Sequence, residues 1–190
     1  MTLEIIEIGH PVLREVATDM SLNQLASPEV QEFIDELIDT KRSANGAGIA
    51  ANQVANTWRI FVVEIANNPR YPYKPEYPLT VMVNPTITFK SDKRFDNYEG
   101  CLSIPNLRGV VPRCPEILVE GFGRGGNKTK FEVKGITAGT FQHELDHLDG
   151  ILFPDRVEDP KTFCTWNEFT ARYEDDFKQN VKQIVAEYGS

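Results

Sequence analysis

Two of the three histidines in this 190-residue chain stand four residues apart, in Gln142-His143-Glu144-Leu145-Asp146-His147. An HExxH pair becomes useful on a helix, where residues i and i+4 share a face and both imidazoles can reach one metal ion. The remaining chain must then enclose that helix, bring a further ligand to it and leave one side open. Glu144, next to the first histidine, can serve as general base toward a metal-activated water. The competing reading is a chance pair on a helix surface, and the scarcity of histidine weighs against it.

Composition narrows the setting. A hydrophobic fraction of 41% and a charged fraction of 25% are those of an ordinary folded protein, and 190 residues fit one domain. Twenty Lys and Arg against 28 Asp and Glu give a net charge of −8, which argues against non-specific nucleic-acid binding. No apolar run approaches the roughly 18 residues of a membrane helix. The opening Met1-Thr2-Leu3-Glu4 lacks the basic residues of a signal peptide. Three cysteines without CxxC spacing point to a reducing, cytoplasmic setting.

Ser27-Pro28 reads as a helix start, and Val30, Phe33, Ile34, Leu37 and Ile38 form its apolar face, with an end near Asn45-Gly46. Strands are expected at 59–65, 79–83, 85–89, 109–111, 117–122 and 130–133. A helix over about 138–148 carries HExxH. A last helix, starting near Asp159-Pro160, carries Trp166, Phe169, Tyr173, Phe177, Val181, Ile184 and Tyr188 on one stripe. Helix, strands, then helices is an α+β order. The expected architecture has small antiparallel or mixed sheets around a central HExxH helix, with an N-terminal and a C-terminal helix. Residues 1–190 form one domain in this reading, with 158–190 as a helical extension.

HExxH leaves the third ligand open. Glu168, 21 residues after His147, would complete a two-His, one-Glu site. Cys101, in Glu99-Gly100-Cys101-Leu102-Ser103, would complete a two-His, one-Cys site. Glu168 falls off the apolar stripe, as a solvated residue would. Cys101 sits in a sharp turn in this reading, where Gly100 allows close backbone approach. A third segment, Gly46-Ala47-Gly48-Ile49-Ala50-Ala51-Asn52-Gln53, superficially matches a dinucleotide fingerprint. It follows a helix rather than a strand, so that context fails. Its small residues suit close approach to a bound chain, with Gln53 offering an amide; a packed turn with Gln53 on the surface is the plainer alternative.

Taken in order, 46–53, 99–103 and 142–147 resemble the three motifs of the peptide deformylase family, GxGxAAxQ, EGCLS and QHExDH. Ile104-Pro105, Arg108, Arg113, the run 148–153 and Pro11-Val12-Leu13-Arg14 extend the likeness over roughly 3–157. Asn52 departs from the commoner proline, and Gly139 and Thr140 stand where bulkier residues are common, which implies a differently shaped side-chain pocket. The resemblance implies one divalent metal on Cys101, His143 and His147, usually Fe²⁺, with Zn²⁺, Ni²⁺ or Co²⁺ as substitutes. It implies removal of the formyl group from the N-terminal formyl-methionine of nascent peptides, with a metal-bound water as nucleophile and Glu144 as general base and acid. Gln53 and the Leu102 N–H would stabilise the oxyanion. Gly46, Gly48 and Gly100 would pair with the peptide backbone, and Arg108 would brace the substrate-facing loops or form a structural ion pair. A transient contact with the ribosome fits such a role, although the charge of 166–190 does not support one through the last helix. The alternatives are a zinc metalloprotease using Glu168 and a silent peptide-binding relative. His10, Cys114 and Cys164 read as a surface turn residue and two packing residues.

Overall fold

The computed structural model describes residues 1–190. A short turn of helix, α1 (Leu22–Leu25), precedes α2 (Pro28–Ser43). The Ser27 side chain accepts from the Val30 N–H and Pro28 opens the helix, as the sequence predicts. The strands follow as β1 (Gly48–Ala50), β2 (Ile60–Ile65), β3 (Tyr77–Phe89), β4 (Phe95–Cys101), β5 (Ile104–Arg113), β6 (Glu116–Phe122) and β7 (Lys128–Lys134). Then come α3 (Gly135–Leu148), α4 (Phe153–Arg156), α5 (Trp166–Arg172) and α6 (Glu174–Tyr188).

Five strands form one sheet in the order β1-β2-β3-β6-β7, and β4 pairs with β5 in a separate hairpin. Every strand pair is antiparallel. The α+β expectation therefore holds, in its antiparallel form. Strand β2 is buried on both faces. Ile60 and Val62 meet Ile34, Leu37 and Ile38 of α2, whereas Phe61 and Val63 meet Phe141 and Ala138 of α3. Phe141 has Phe61, Tyr77 and Phe131 edge-on around it at ring distances of 5.4–6.0 Å. Helix α3 is buried along almost its whole length, the pattern of a central helix.

Three expectations need correction. The segments 79–83 and 85–89 are one strand, because Asn84, at φ 48°, absorbs a bulge between Val83 and Thr86 and Pro85 sits within it. The expected last helix is broken. Asp159 caps a single 3-10 turn, the Arg108 and Cys164 backbones then exchange hydrogen bonds (2.8 and 2.9 Å), and Thr165 caps α5 afresh. Tyr173, at φ −121°, separates α5 from α6. Helix α3 starts at Gly135 rather than 138. Its first residue has φ +59°, and the Ser190 carbonyl accepts from the Ile136 N–H where no side-chain cap is present. Phe169, Phe177 and Val181 pack on Ile136, so α5 and α6 lean on the HExxH helix.

One buried ion pair fastens α2 to the sheet. Lys41, 4% exposed, places Nζ 2.9 Å from Glu64, and Arg42 binds the other carboxylate oxygen at 2.7 Å. The Arg42 and Lys41 contacts hold the Glu64 carboxyl down, to about 2. A carboxylate with a lowered folded-state pKa contributes stability above its ordinary value and loses it as pH falls toward the folded value. Glu64→Gln is expected to cost about 3–5 kcal/mol at pH 6, because it strands the Lys41 charge. In urea titrations the gap to wild type should close as pH falls from about 4.5 toward 2. A gap independent of pH would contradict this ion-pair account.

Candidate active site

Strand β4 exposes Asp96 and buries Asn97, Glu99 and Cys101 on its other face, and that face looks onto α3. Cys101 is thus the last residue of a strand, with the expected turn displaced to Leu102 and Ser103. Its Sγ lies 3.2 Å from His147 Nε2, and donor atoms of Cys101, His143 and His147 all fall within 4.8 Å of one another. Glu168 is remote from this cluster in character: its side chain is half exposed and paired with Arg172 within α5.

The donors are held from behind. His143 Nδ1 donates to Glu99 at 2.8 Å, which leaves Nε2 for a ligand; a carboxylate behind a ligating histidine fixes tautomer and ring orientation. Arg113 donates to both Glu99 oxygens at 2.7 and 2.9 Å and to Asp146 at 2.7 Å. Asp146 also takes Arg156 at 2.8 Å. Burial disfavours a charged Glu99, yet Arg113 and His143 hold its carboxyl far below the ordinary range. Asn52 hydrogen-bonds the His147 carbonyl through its side-chain amide, a contact proline could not make. The Ser103 N–H points at the Cys101 sulfur (3.4 Å).

Gln53 is buried rather than on the surface. Its Oε1 accepts from the Ala50 N–H (2.9 Å), and its Nε2 donates to Ser103 Oγ (3.1 Å) and lies 3.5 Å from Cys101 Sγ. Glu144 has one carboxylate oxygen buried with no partner in the chain. Burial pushes this carboxyl up to about 7. A Cβ on Gly48 would collide with that carboxyl, and one on Gly46 would come within 2.9 Å of Leu102 Cδ1. These glycines let β1 run directly beside the site. Strand β1 pairs only with β2, so its other edge is open, and Gly46, Gly48, Gly100 and Leu102 all line the cleft. The Leu102 N–H makes no backbone hydrogen bond.

The structure does not bring Arg108 into the cleft. It is fully buried, donates to the Tyr98 carbonyl, and lies 4.3 and 3.8 Å from the ring centres of Trp166 and Phe169. It has no carboxylate partner, so it braces β4 from behind rather than forming an ion pair. His10 is an exposed turn residue that caps a 3-10 turn, and Cys114 is buried against backbone carbonyls. Sequence reasoning assigned no task to Glu99, Asp146 or Lys74. The first two lie inside the motifs, and Lys74 lies in a Pro/Tyr loop without periodicity.

A cysteine sulfur, two imidazoles and a buried, unpartnered carboxylate facing a cleft are the groups of a metallohydrolase site of the HExxH kind, and this donor set could hold a divalent ion. The family model for polypeptide deformylase matches residues 2–163. Peptide deformylase 2 of Nostoc sp. is 45% identical over 88% of this chain and 92% of its own. The Met-Ala-Ser-bound class I type b peptide deformylase of Acinetobacter baumannii superposes with a TM-score of 0.79 at 38% identity, covering 83% of this chain and 99% of that one. A Synechococcus elongatus peptide deformylase in complex with actinonin covers 98% of this chain and 86% of its own (TM-score 0.74, 27% identity). The chain belongs to the peptide deformylase family, and it is a metal-dependent hydrolase that removes N-formyl groups from peptides. No helix is long and apolar enough to cross a membrane.

The two third-ligand readings diverge in a metal assay. Cys101→Ala should lose most bound metal, because two imidazoles alone make an incomplete site. Glu168→Ala should keep metal and activity near wild type, since surface changes usually shift stability by about 0.5 kcal/mol or less. Metal kept by the first variant and lost by the second would reverse the assignment.

Proposed function

We propose that Cys101, His143 and His147 hold one divalent ion, Fe²⁺ as the working metal with Zn²⁺, Ni²⁺ or Co²⁺ as substitutes, and that Glu144 moves the protons of formamide hydrolysis. When bound, the ion supplies Lewis acidity and activates water. The observation that carries the reading is the convergence of those three donors beside the unpartnered oxygen of Glu144. Glu144 takes a proton from the attacking water as the new C–O bond forms. It returns that proton to nitrogen as the formyl C–N bond breaks, which releases formate and a free amino terminus. The Gln53 amide and the Leu102 N–H stabilise the oxyanion, each such donor being worth roughly 3–4 kcal/mol.

The substrate is the formyl-methionyl end of a nascent peptide, bound as a strand along the open edge of β1, with Gly46, Gly48 and Gly100 giving its backbone room. Main-chain pairing reads an extended peptide without reading its sequence. Arg108 supports this side indirectly, through the Tyr98 carbonyl next to Glu99. Residues 1–190 act as one unit in this account, because α5 and α6 share apolar contacts with α3. Charge on these last helices does not favour a ribosome contact: Arg172 and Lys178 are paired with Glu168 and Glu174.

Glu144→Ala should retain stoichiometric metal and lose formate release from a formyl-Met-Ala-Ser peptide by at least about 10²-fold, the low end for general acid–base catalysis. Metal analysis and a formate assay on one preparation check this. Near-normal kcat would remove Glu144 from proton transfer, and loss of metal would make it a ligand.

A further inference from the structure

Gly48 lies against Glu144, where the formyl group reacts on the proposed function above. Ala50 is fully buried, and its N–H is taken by Gln53 Oε1 at 2.9 Å. An extended peptide along β1 therefore leaves the site past Ala47 toward Gly46. The loop before β3 is tied to that exit. Asn68, 8% exposed, donates from Nδ2 to the Asn45 carbonyl at 3.0 Å and accepts the Arg70 N–H on Oδ1 at 2.9 Å. Tyr71 shares an apolar cluster with Ala47, and Trp166 packs against that cluster with its ring 6.1 Å from that of Tyr71. Trp166 also borders Gly100, where a Cβ would come within 3.2 Å of the indole.

These rings carry cations that no acid neutralises. The Arg70 guanidinium lies 4.8 Å from the Trp166 ring centre and 5.6 Å from that of Tyr71. Lys74 Nζ lies 4.9 Å from the Tyr71 ring centre, and Arg108 lies 4.3 Å from that of Trp166. None of the three forms an ion pair, in a chain whose net charge is −8. Lys74 and Arg108 donate inward, to Thr140 Oγ1 at 2.9 Å and to the Tyr98 carbonyl. Arg70 is half-buried, and its guanidinium donates to nothing in the chain. A guanidinium held over aromatic rings keeps its N–H groups free for a carboxylate.

Side chains of a strand alternate, so the first and third residues of the peptide share a face, about 7 Å apart. The methionyl side chain enters the recess that Tyr71 lines. The third side chain then emerges beside Tyr71, on the way to Gly46, where the Asn68 contacts hold Arg70. We propose that Arg70, held over Trp166 and Tyr71, is a specificity-determining residue that pairs with an acidic side chain at the third position of the formyl-methionyl peptide. Trp166 lies beyond residues 2–163 matched by the family model, so its part in this contact comes from the C-terminal portion of this chain.

The test compares formate release from C-terminally amidated peptides, formyl-Met-Ala-X-Ala, with X as glutamate, glutamine or lysine, so that only X brings a carboxylate. Wild type, Arg70→Gln and Trp166→Leu are loaded with the same metal. The ratio of kcat/KM for glutamate to that for glutamine, taken within one preparation, does not depend on the folded fraction. Wild type should favour glutamate about fivefold at low ionic strength, the upper range for a pair at the protein surface, with lysine below glutamine, and added salt should shrink the ratio. The contact lies away from the reacting atoms, so the preference belongs in KM rather than kcat. Arg70→Gln should bring the ratio to about one, and Trp166→Leu, which keeps the charge but removes its support, should lower it at least about twofold. A wild-type ratio near one, or a wild-type ratio kept by either variant, while the glutamine peptide turns over, would overturn the proposal alone. No formate from any of the three peptides would overturn the deformylase mechanism and the proposal with it.

Discussion

Glu99 receives two hydrogen bonds from Arg113 and one from His143, all out of solvent. Arg113 belongs to β5, Glu99 to β4 and His143 to α3, so this single carboxylate ties the hairpin to the central helix. Arg113 reaches the helix a second time through Asp146. Removing one member would strand a buried charge at a cost of about 3–5 kcal/mol, and it would also free the His143 ring. The same strand that carries Glu99 ends two residues later in Cys101. Fixing Glu99 against α3 therefore fixes the sulfur against both imidazoles.

Backbone economy on the opposite wall complements that rigidity. Gly46 and Gly48 let β1 approach Leu102 and Glu144 more closely than any side chain would permit. Gln53 is locked between the Ala50 N–H and Ser103 Oγ, so its amide stays aimed at the sulfur side of the site. Glu144 keeps one carboxylate oxygen buried without a partner, and in the proposed mechanism that carboxylate takes the proton of the attacking water.

The motifs made the donors, Glu144 and Gln53 legible, because each chemistry demands particular residue types at fixed spacing. The apolar periodicity of 28–43 made α2 legible, and the HExxH spacing pointed to a helix over the core of α3. Strand β4 was not, since Phe95-Asp96-Asn97-Tyr98-Glu99 turns polar groups inward and carries none of the usual β-branched pattern. Those inward polar groups serve the site, so function erased the signal of the fold. The break between 159 and 173 was hidden for a different reason. The apolar stripe from Trp166 to Tyr188 runs on through the break at Tyr173, and the Arg108–Cys164 backbone pairing that precedes α5 is invisible in sequence. Arg108 looked like a loop brace at the cleft, but burial between Trp166 and Phe169 sets it behind the site.

X-ray absorption at the metal edge of the Zn²⁺-loaded protein tests the central claim most directly. The account predicts one sulfur neighbour at about 2.3 Å and two imidazole nitrogens at about 2.0–2.1 Å, with the remaining position filled by a light atom. A first shell of nitrogen and oxygen alone would remove Cys101 from the metal and contradict the account.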